Sequence, residues 1–310
     1  MKKILITAVL LLVATGLFAQ KSREIVHYNV VFAPDLSNRL NSSLYPKAVN
    51  DADIVQGVLQ NIWPDLLKQR RSEGQLDHYT VDFINRGLIS MYKINPELLN
   101  IDFQRFERQN DRINYVMSRG VSRTLPKDVS TFMLEYRKLN SKAARSNNGA
   151  DIWSYFQSGI NESVVLPSLA KGKVNHRFRN IMIMFTDGYI EAGIYNKGYD
   201  LSASKVADFR KAFLKSKEPS MEVFLSKNTR FRITAAKNPF LKNLEVIVVE
   251  MYDRSLSKAG AATSHPTDME IMKVIWTDWL RSSGVKRFEL KAAASSQAEA
   301  VKYIMNFIKV

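Results

Sequence analysis

The chain of 310 residues contains no cysteine. This absence excludes disulfide bonds, zinc sites built from thiolates and a cysteine nucleophile. It also excludes a lipid anchor attached through a cysteine. The fold must therefore rest on its hydrophobic core, and a hydrophobic content of 45% is normal for a globular protein. The length predicts one large domain with insertions, or one domain with a small additional lobe.

Long apolar runs are absent after the N-terminus. There, Lys2 and Lys3 precede an apolar segment that begins at Ile4 and ends near Ala19. Because this segment is shorter than the ~20 residues that a spanning helix needs, the pattern predicts a cleavable secretory signal over residues 1–20. A membrane anchor is the alternative. The mature chain, residues 21–310, is expected to be soluble and either secreted or periplasmic.

Signatures of the common enzyme classes are also missing. The sequence has no Gly-x-Ser-x-Gly elbow, no Gly-rich phosphate loop with Lys-Ser/Thr and no His-Glu-x-x-His. Two aspartates, Asp35 and Asp187, leave a metal-dependent hydrolase as a minor alternative, since paired carboxylates in one crevice can act as acid and base. No nucleophile or further base accompanies them. The sequence therefore favours a protein that is not an enzyme.

Acidic residues are outnumbered by basic ones. The 45 Lys and Arg residues face 30 Asp and Glu residues, a formal charge of +15, or +13 once the two lysines of the signal are removed. Residues 171–242 alone hold fifteen basic and six acidic side chains, a net of +9. Such a surface attracts anions, including acidic proteins, lipid head groups, polysaccharide and nucleic acid. A solubilising basic face without a specific ligand is the other interpretation.

Strand and helix patterns alternate along the mature chain. Apolar or alternating runs predict strands over residues 28–33, 78–84, 179–185, 244–250 and 288–292. Helical spacing and capping residues predict helices over 54–67, 103–117, 126–145, 151–165, 267–282 and 295–309. This order predicts an α/β fold with a doubly wound, mostly parallel central sheet and helices on both faces.

Two of these strands end in aspartate. Asp35 follows the first strand in the segment Asp35-Leu-Ser37-Asn-Arg39, and Asp187 follows a nearly continuous apolar run in Thr186-Asp187-Gly188. Open α/β sheets place ligands at the carboxyl ends of their strands, so we expect both aspartates in one site. Carboxylate and hydroxyl oxygens suit Mg²⁺, Mn²⁺ or Ca²⁺. An aspartate after a strand also often serves only as a turn residue or helix cap.

These motifs resemble the von Willebrand factor type A (vWA) domain and its metal-ion-dependent adhesion site. In that family the first loop reads Asp-x-Ser-x-Ser, a second loop supplies a threonine and a third supplies an aspartate in a Thr-Asp-Gly-like turn. Asp35 and Ser37 match the first loop, and Asp187 matches the third. The site is degenerate, because Arg39 replaces the second serine and Ala150 replaces the threonine in Asn-Gly-Ala-Asp-Ile.

The resemblance implies a vWA-like domain over residues 21–310 with insertions at about 86–125 and 189–242. It implies a metal site formed by Asp35, Ser37 and Asp187, with Asp151 supplying an oxygen in place of the missing threonine. The cofactor would be Mg²⁺, or Mn²⁺ or Ca²⁺. In the alternative, the guanidinium of Arg39 pairs with Asp35 or Asp187 and takes the place of the cation.

The resemblance also implies a protein-interaction module, with an adhesion or scaffold role, that binds a partner protein through an exposed carboxylate. The partner-binding surface would include Asn38, Arg39, Thr186 and Gly188. The main alternative is a basic polyanion-binding protein that uses residues 171–242. A metal-dependent hydrolase is less favoured than either.

Overall fold

A seven-stranded sheet lies at the centre of the computed structural model. The structure describes residues 23–43, 45–69, 73–146, 149–171, 174–191, 193, 198–257 and 259–310. The predicted signal at 1–20 lies outside these residues. Within them, no helix is both long enough and apolar enough to cross a membrane.

The sheet is mostly parallel, as the sequence predicts. Its strands run in the order β3-β2-β1-β5-β6-β7, and β4 pairs with β5. The pairs β1–β2, β1–β5, β5–β6 and β6–β7 are parallel, whereas β2–β3 and β4–β5 are antiparallel. The strands are β1 (Arg23–Pro34), β2 (His78–Val81), β3 (Asn100–Asp102), β4 (Leu169–Lys171), β5 (Val174–Phe185), β6 (Leu244–Met251) and β7 (Arg287–Ala292).

Helices connect the parallel strands. The longer ones are α1 (Asp51–Gln60), α2 (Gly87–Tyr92), α3 (Gln109–Met117), α4 (Leu125–Ala143), α5 (Ala203–Ser216), α6 (Met221–Lys227), α7 (Asp268–Ser282) and α8 (Gln297–Lys309). Short helical turns lie at Asn38–Leu40, Ile62–Leu66, Pro96–Leu99, Ile152–Ser154, Tyr155–Gly159, Thr229–Phe231 and Pro239–Asn243. Proline stands in the first turn of α4, where its missing N–H costs nothing, and Thr267 with Glu270 forms a capping box on α7.

Both faces of the sheet are covered by helices. Successive side chains of a strand point to opposite faces, so β1 sends Phe32 to one face and Val31 to the other. The first face packs against α1, α4 and α8, and the second against α5, α6 and α7. A strand buried on both faces needs apolar residues at every position, which explains the continuous run Ile181–Phe185. The doubly wound arrangement is confirmed.

The second predicted loop motif departs from the expected helix at 151–165. After a single turn, Ile152–Ser154, the chain forms a π-helical turn and stops at Gly159. The side chain of Asn238 donates hydrogen bonds to the carbonyls of Phe156 (2.9 Å) and Ile160 (2.8 Å). Carbonyls that a longer helix would use internally are therefore bonded to a distant residue, which no local pattern reveals.

The segments predicted as insertions carry elements that periodicity did not reveal. Residues 86–125 contribute α2, β3 and α3 to one edge of the sheet, and the predicted helix at 103–117 begins only at Gln109. Residues 189–242 contribute α5 and α6, whose Phe209 and Phe224 rings meet edge to face with centroids 5.1 Å apart. Residues of both segments belong to the main core. That the segments are insertions relative to a vWA domain stays a prediction.

The turn after β5 requires glycine. Gly188 has φ of +90°, and a Cβ atom there would lie 2.9 Å from Met251 Cε and 3.1 Å from Met272 Sδ. Its carbonyl accepts a hydrogen bond of 2.8 Å from Trp276 Nε1, which comes from α7. The Thr-Asp-Gly turn is thus fixed by a left-handed backbone and by the packing around it. This fixes the position of the preceding Asp187.

Candidate functional site

The ends of β1 and β5 bring Asp35 and Asp187 into one region. The strands are paired up to Pro34 and Phe185, and the N–H of Asp35 donates to the Phe185 carbonyl at 2.8 Å. Asp35 is 2% exposed and Asp187 is 5% exposed. The two aspartates of the sequence motifs therefore lie side by side at the carboxyl edge of the sheet.

The carboxylate of Asp35 is held by donors from the protein. Oδ1 accepts a hydrogen bond of 3.0 Å from the Ser37 N–H, and Oδ2 accepts one of 2.9 Å from Thr186 Oγ1. The same Thr186 hydroxyl accepts from the N–H of Gly188 at 3.2 Å. The first and third loop motifs are therefore tied together by the Thr186 hydroxyl.

Arg39 lies inside the protein, at 1% exposure. Its Nε donates to the Asp35 carbonyl at 2.8 Å, and its Nη1 and Nη2 donate to the two carboxylate oxygens of Asp51. The carboxylate oxygen Oδ2 of Asp35 lies 3.7 Å from the same Nε. Burial disfavours the charge, but the carboxylates of Asp51 and Asp35 outweigh it and raise the pKa of Arg39 above its ordinary value. The sequence anticipated an acid partner for Arg39 but did not identify Asp51.

A second arginine, Arg254, neutralises Asp187. Its Nη2 donates to Asp187 Oδ2 at 2.9 Å, while the other oxygen, Oδ1, accepts from the Tyr189 N–H at 3.2 Å. Burial and the neighbouring Asp35 raise the pKa of Asp187, and Arg254 opposes this shift. Sequence reasoning missed Arg254, although it follows β6 just as the two aspartates follow their strands.

Aromatic rings and a surface acid fix the guanidinium of Arg254. The guanidinium lies 3.9 Å from the ring centroid of Tyr189 and 5.2 Å from that of Tyr45. Its Nη1 donates to Glu191 at 3.0 Å, and the side chain of Glu191 is 44% exposed. Arg254 thus bonds one buried carboxylate and one exposed carboxylate, and such contacts between guanidinium and aromatic faces are favourable.

Asp151 serves as a cap in the second loop. Its Oδ1 accepts from the Ser154 N–H at 2.9 Å, and its Oδ2 accepts from the Ser154 hydroxyl at 2.7 Å. Ala150, at the position of the family threonine, is 5% exposed. No hydrogen bond in the described part of the chain joins Asp151 to Asp35 or Asp187. Asp151 therefore acts as a helix cap in this structure, a common role of aspartate.

The residues predicted to contact a partner differ in exposure. Arg39 and Thr186 are 1% and 0% exposed, and Gly188 is also buried. Asn38 is half-buried, as is the predicted metal ligand Ser37. Of these five residues, only Asn38 and Ser37 are therefore partly exposed to a partner.

The oxygens that a divalent cation would need are already bonded to protein donors. Both carboxylate oxygens of Asp35, of Asp187 and of Asp151 accept a hydrogen bond from the protein. Two guanidinium groups lie in the same region, and among residues 23–310, apart from the short undescribed gaps, no group of three His, Asp or Glu residues is arranged to hold a metal. The geometry does not favour a cation, and the metal stays a prediction of the resemblance.

A buried glutamate adjoins this network at the end of β6. Glu250 is 0% exposed and has φ of +66°. Its Oε1 accepts a hydrogen bond of 3.3 Å from the Ala294 N–H, and its Oε2 has no partner in the described residues. Burial and the carboxylate of Asp51 raise the pKa of Glu250 to about 7, against the opposing charges of Lys47 and Arg39. This carboxyl therefore changes charge near neutral pH.

Comparison with protein-family models, curated proteins and solved structures finds no match for this chain. The vWA resemblance thus rests on the loop motifs and on the order of the elements. The function must be argued from the geometry of the carboxyl edge itself.

The ion pair of Arg39 and Asp51 generates the first prediction. The substitution Asp51→Asn removes the carboxylate that pairs with the buried Arg39 and, at 3.4 Å, with Lys47, and we expect it to lower the free energy of unfolding by about 3–5 kcal/mol. The matched control is Asp53→Asn on the same helix, whose carboxylate is 38% exposed and pairs with Arg137 at 2.8 Å. That control should cost about 1 kcal/mol or less. Urea unfolding measures both, and equal losses would contradict a buried role for the Arg39–Asp51 pair.

Glu250 generates a prediction about pH. Its pKa is about 7 in the fold and 4.5 in the unfolded chain, so between these values the native protein holds a proton that the unfolded chain has lost. The stability contributed by this proton is fully present below pH 4.5 and is lost as the pH rises from 4.5 through about 7. The substitution Glu250→Gln should therefore stabilise the protein at about pH 8.5, by on the order of 2 kcal/mol, and have little effect at about pH 5.

Thermal unfolding at both pH values measures this difference. The control is Glu289→Gln on the neighbouring strand, where the side chain is 41% exposed and pairs with Lys291 at 2.8 Å. The control should change little with pH. If Glu250→Gln destabilises the protein at the higher pH, Glu250 is ionised and favourably paired there, contrary to our assignment.

Proposed function

We propose that this protein is a vWA-like interaction module that binds an acidic partner protein through the loops at the carboxyl edge of its sheet. The role is binding rather than catalysis. The observation that carries the proposal is the position of Arg254, which bonds the buried Asp187 on one side and the exposed Glu191 on the other. In the intact family, the metal presents an open position to a carboxylate of the partner. Here Arg254 would take that part.

The pair with Glu191 is the one that a partner can replace. Ion pairs with an exposed partner contribute roughly 0–1 kcal/mol, so exchanging the carboxylate of Glu191 for that of a partner costs little. The guanidinium stays in place during the exchange because Asp187 and the rings of Tyr45 and Tyr189 hold it. Arginine binds a carboxylate through two parallel hydrogen bonds, which gives direction as well as strength.

Binding of this kind needs no metal. Arg39 balances the charge of Asp51 and adjoins Asp35, and Arg254 balances Asp187. The positive charge that a divalent ion supplies in the intact family is thus supplied by two side chains. The signal-like N-terminus supports a secreted or periplasmic place of action.

The polyanion alternative receives less support from the basic region. Within the described part of residues 171–242, several cations are paired with acids, namely Arg177 with Glu24, Arg179 with Glu245, Arg210 with Asp268, Lys227 with Glu218 and Arg232 with Asp278. Paired cations attract a phosphate backbone less than free ones do. The excess charge of this region therefore overstates its attraction for anions.

The proposal predicts selective binding of a peptide carboxylate. The probe is a labelled peptide with one central aspartate, and its twin carries asparagine at that position. Fluorescence anisotropy should show that Arg254→Gln weakens binding of the aspartate peptide at least about tenfold, equivalent to about 1.4 kcal/mol. Glu191→Gln should strengthen it, because the internal competitor is gone. The asparagine peptide should bind weakly to every variant.

The control for charge alone is Arg177→Gln. Arg177 pairs with Glu24 at 3.0 Å near the amino end of β5, at the opposite edge of the sheet. If this variant weakens binding as much as Arg254→Gln does, binding depends on net charge alone, and the polyanion-binding hypothesis is favoured. If Glu191→Gln leaves the affinity unchanged, Glu191 does not occupy the position of a partner's carboxylate.

A further inference from the structure

An apolar groove lies far from the carboxyl edge, beside the amino end of β2. It has a volume of about 600 Å³ and runs between the turn at Ile62–Leu66 and helix α3. Three of its side chains are unusually exposed for their type: Trp63 at 37%, Ile113 at 41% and Met117 at 41%. The remaining apolar lining comes from Leu67, Phe103 and Val116. Exposed apolar clusters of this kind commonly mark binding sites.

The charged residues of the groove are all basic. Lys68, Arg112 and Arg119 line it, and no aspartate or glutamate of the described residues does. The Lys68 ammonium lies 4.8 Å from the ring centroid of Trp63, at the border between the charged and the apolar lining. The groove thus combines an apolar floor with positively charged side chains.

Arg112 is the buried cation of the groove. It is 9% exposed, and its guanidinium donates to two backbone carbonyls, that of Phe103 at 3.4 Å and that of Phe106. In the part of the chain that the structure describes, no carboxylate forms an ion pair with it. Burial lowers the pKa of Arg112, and the adjacent Asp111 opposes this shift. Buried charges are ordinarily paired, so a guanidinium held only by carbonyls leaves room for an anionic ligand.

We propose that this groove binds an aliphatic carboxylate, with its carboxyl group on Arg112 and its chain along Trp63, Ile113 and Met117. The ligand chemistry is that of a fatty acid. Arg112 would donate to the carboxylate through the side of its guanidinium that the two carbonyls leave free. Lys68 and Arg119 would favour the same charge at the mouth of the groove.

A small molecule fits the dimensions better than a protein. Ligand pockets commonly measure about 300–1,000 Å³, and the groove falls within that range. Stable protein interfaces bury about 1,200–2,000 Å² of surface, far more than three exposed apolar side chains offer. The occupant is therefore taken to be a single chain of apolar carbons with a charged end.

Titration calorimetry with dodecanoate below its micelle concentration tests the proposal. The matched probe is dodecyltrimethylammonium, which has the same chain and the opposite charge. Dodecanoate should bind saturably, and at least about tenfold more tightly than the cationic probe. Arg112→Gln should reduce that preference at least about fivefold, since glutamine keeps donors for the carbonyls but carries no charge.

A second variant keeps the test independent of Arg112. Met117→Glu places an acid in the exposed part of the groove and should weaken dodecanoate at least about tenfold. Its control, Leu134→Glu, makes the same kind of change at a 74% exposed position outside the groove and should have no effect on binding. Equal binding of the two probes, or equal effects of these two variants, would overturn the proposal. So would the absence of saturable dodecanoate binding, or binding of an acidic peptide in its place.

Discussion

The ion pair between Arg39 and Asp51 is the interaction on which the carboxyl edge depends. Both side chains are withdrawn from water, and a buried charge persists only when another charge and further hydrogen bonds compensate it. Arg39 meets this condition with Asp51 on one side and the Asp35 carbonyl on the other. The loop after β1 is thereby attached to the start of α1, and Asp35 is held where the Thr186 hydroxyl can reach it.

The second arginine extends the same principle to the surface. Arg254 compensates the negative charge of the buried Asp187, and it also pairs with the exposed Glu191. Under the proposed function, charge compensation inside the fold and recognition of a partner outside it would use one guanidinium. An arginine in place of the metal would keep a preference for carboxylates and remove the dependence on a free ion. Arginine is suited to this part because its planar group binds carboxylates in a fixed geometry.

Much of the architecture could be predicted from the sequence, because apolar periodicity reports burial directly. The parallel strands at β1, β5 and β6 and the helices α4, α7 and α8 follow from local patterns. The short helix after Asp151 did not, since Asn238 ends it from a distance. At the site, Asp35 and Asp187 were found from their strands. Asp51 and Arg254 were not, because ion pairing across a fold leaves no periodic signal in a sequence.

Isothermal titration of Mg²⁺, Mn²⁺ and Ca²⁺ into the chelator-treated protein distinguishes a site filled by arginine from a site that binds a metal. We expect no saturable heat from any of the three ions, in the wild-type protein or in Asp187→Ala. Saturable binding of one ion per chain that is lost in Asp187→Ala would contradict the claim. In that case the carboxylates of Asp35 and Asp187 give up hydrogen bonds from protein donors and bind the cation instead, and Arg254 does not take its place.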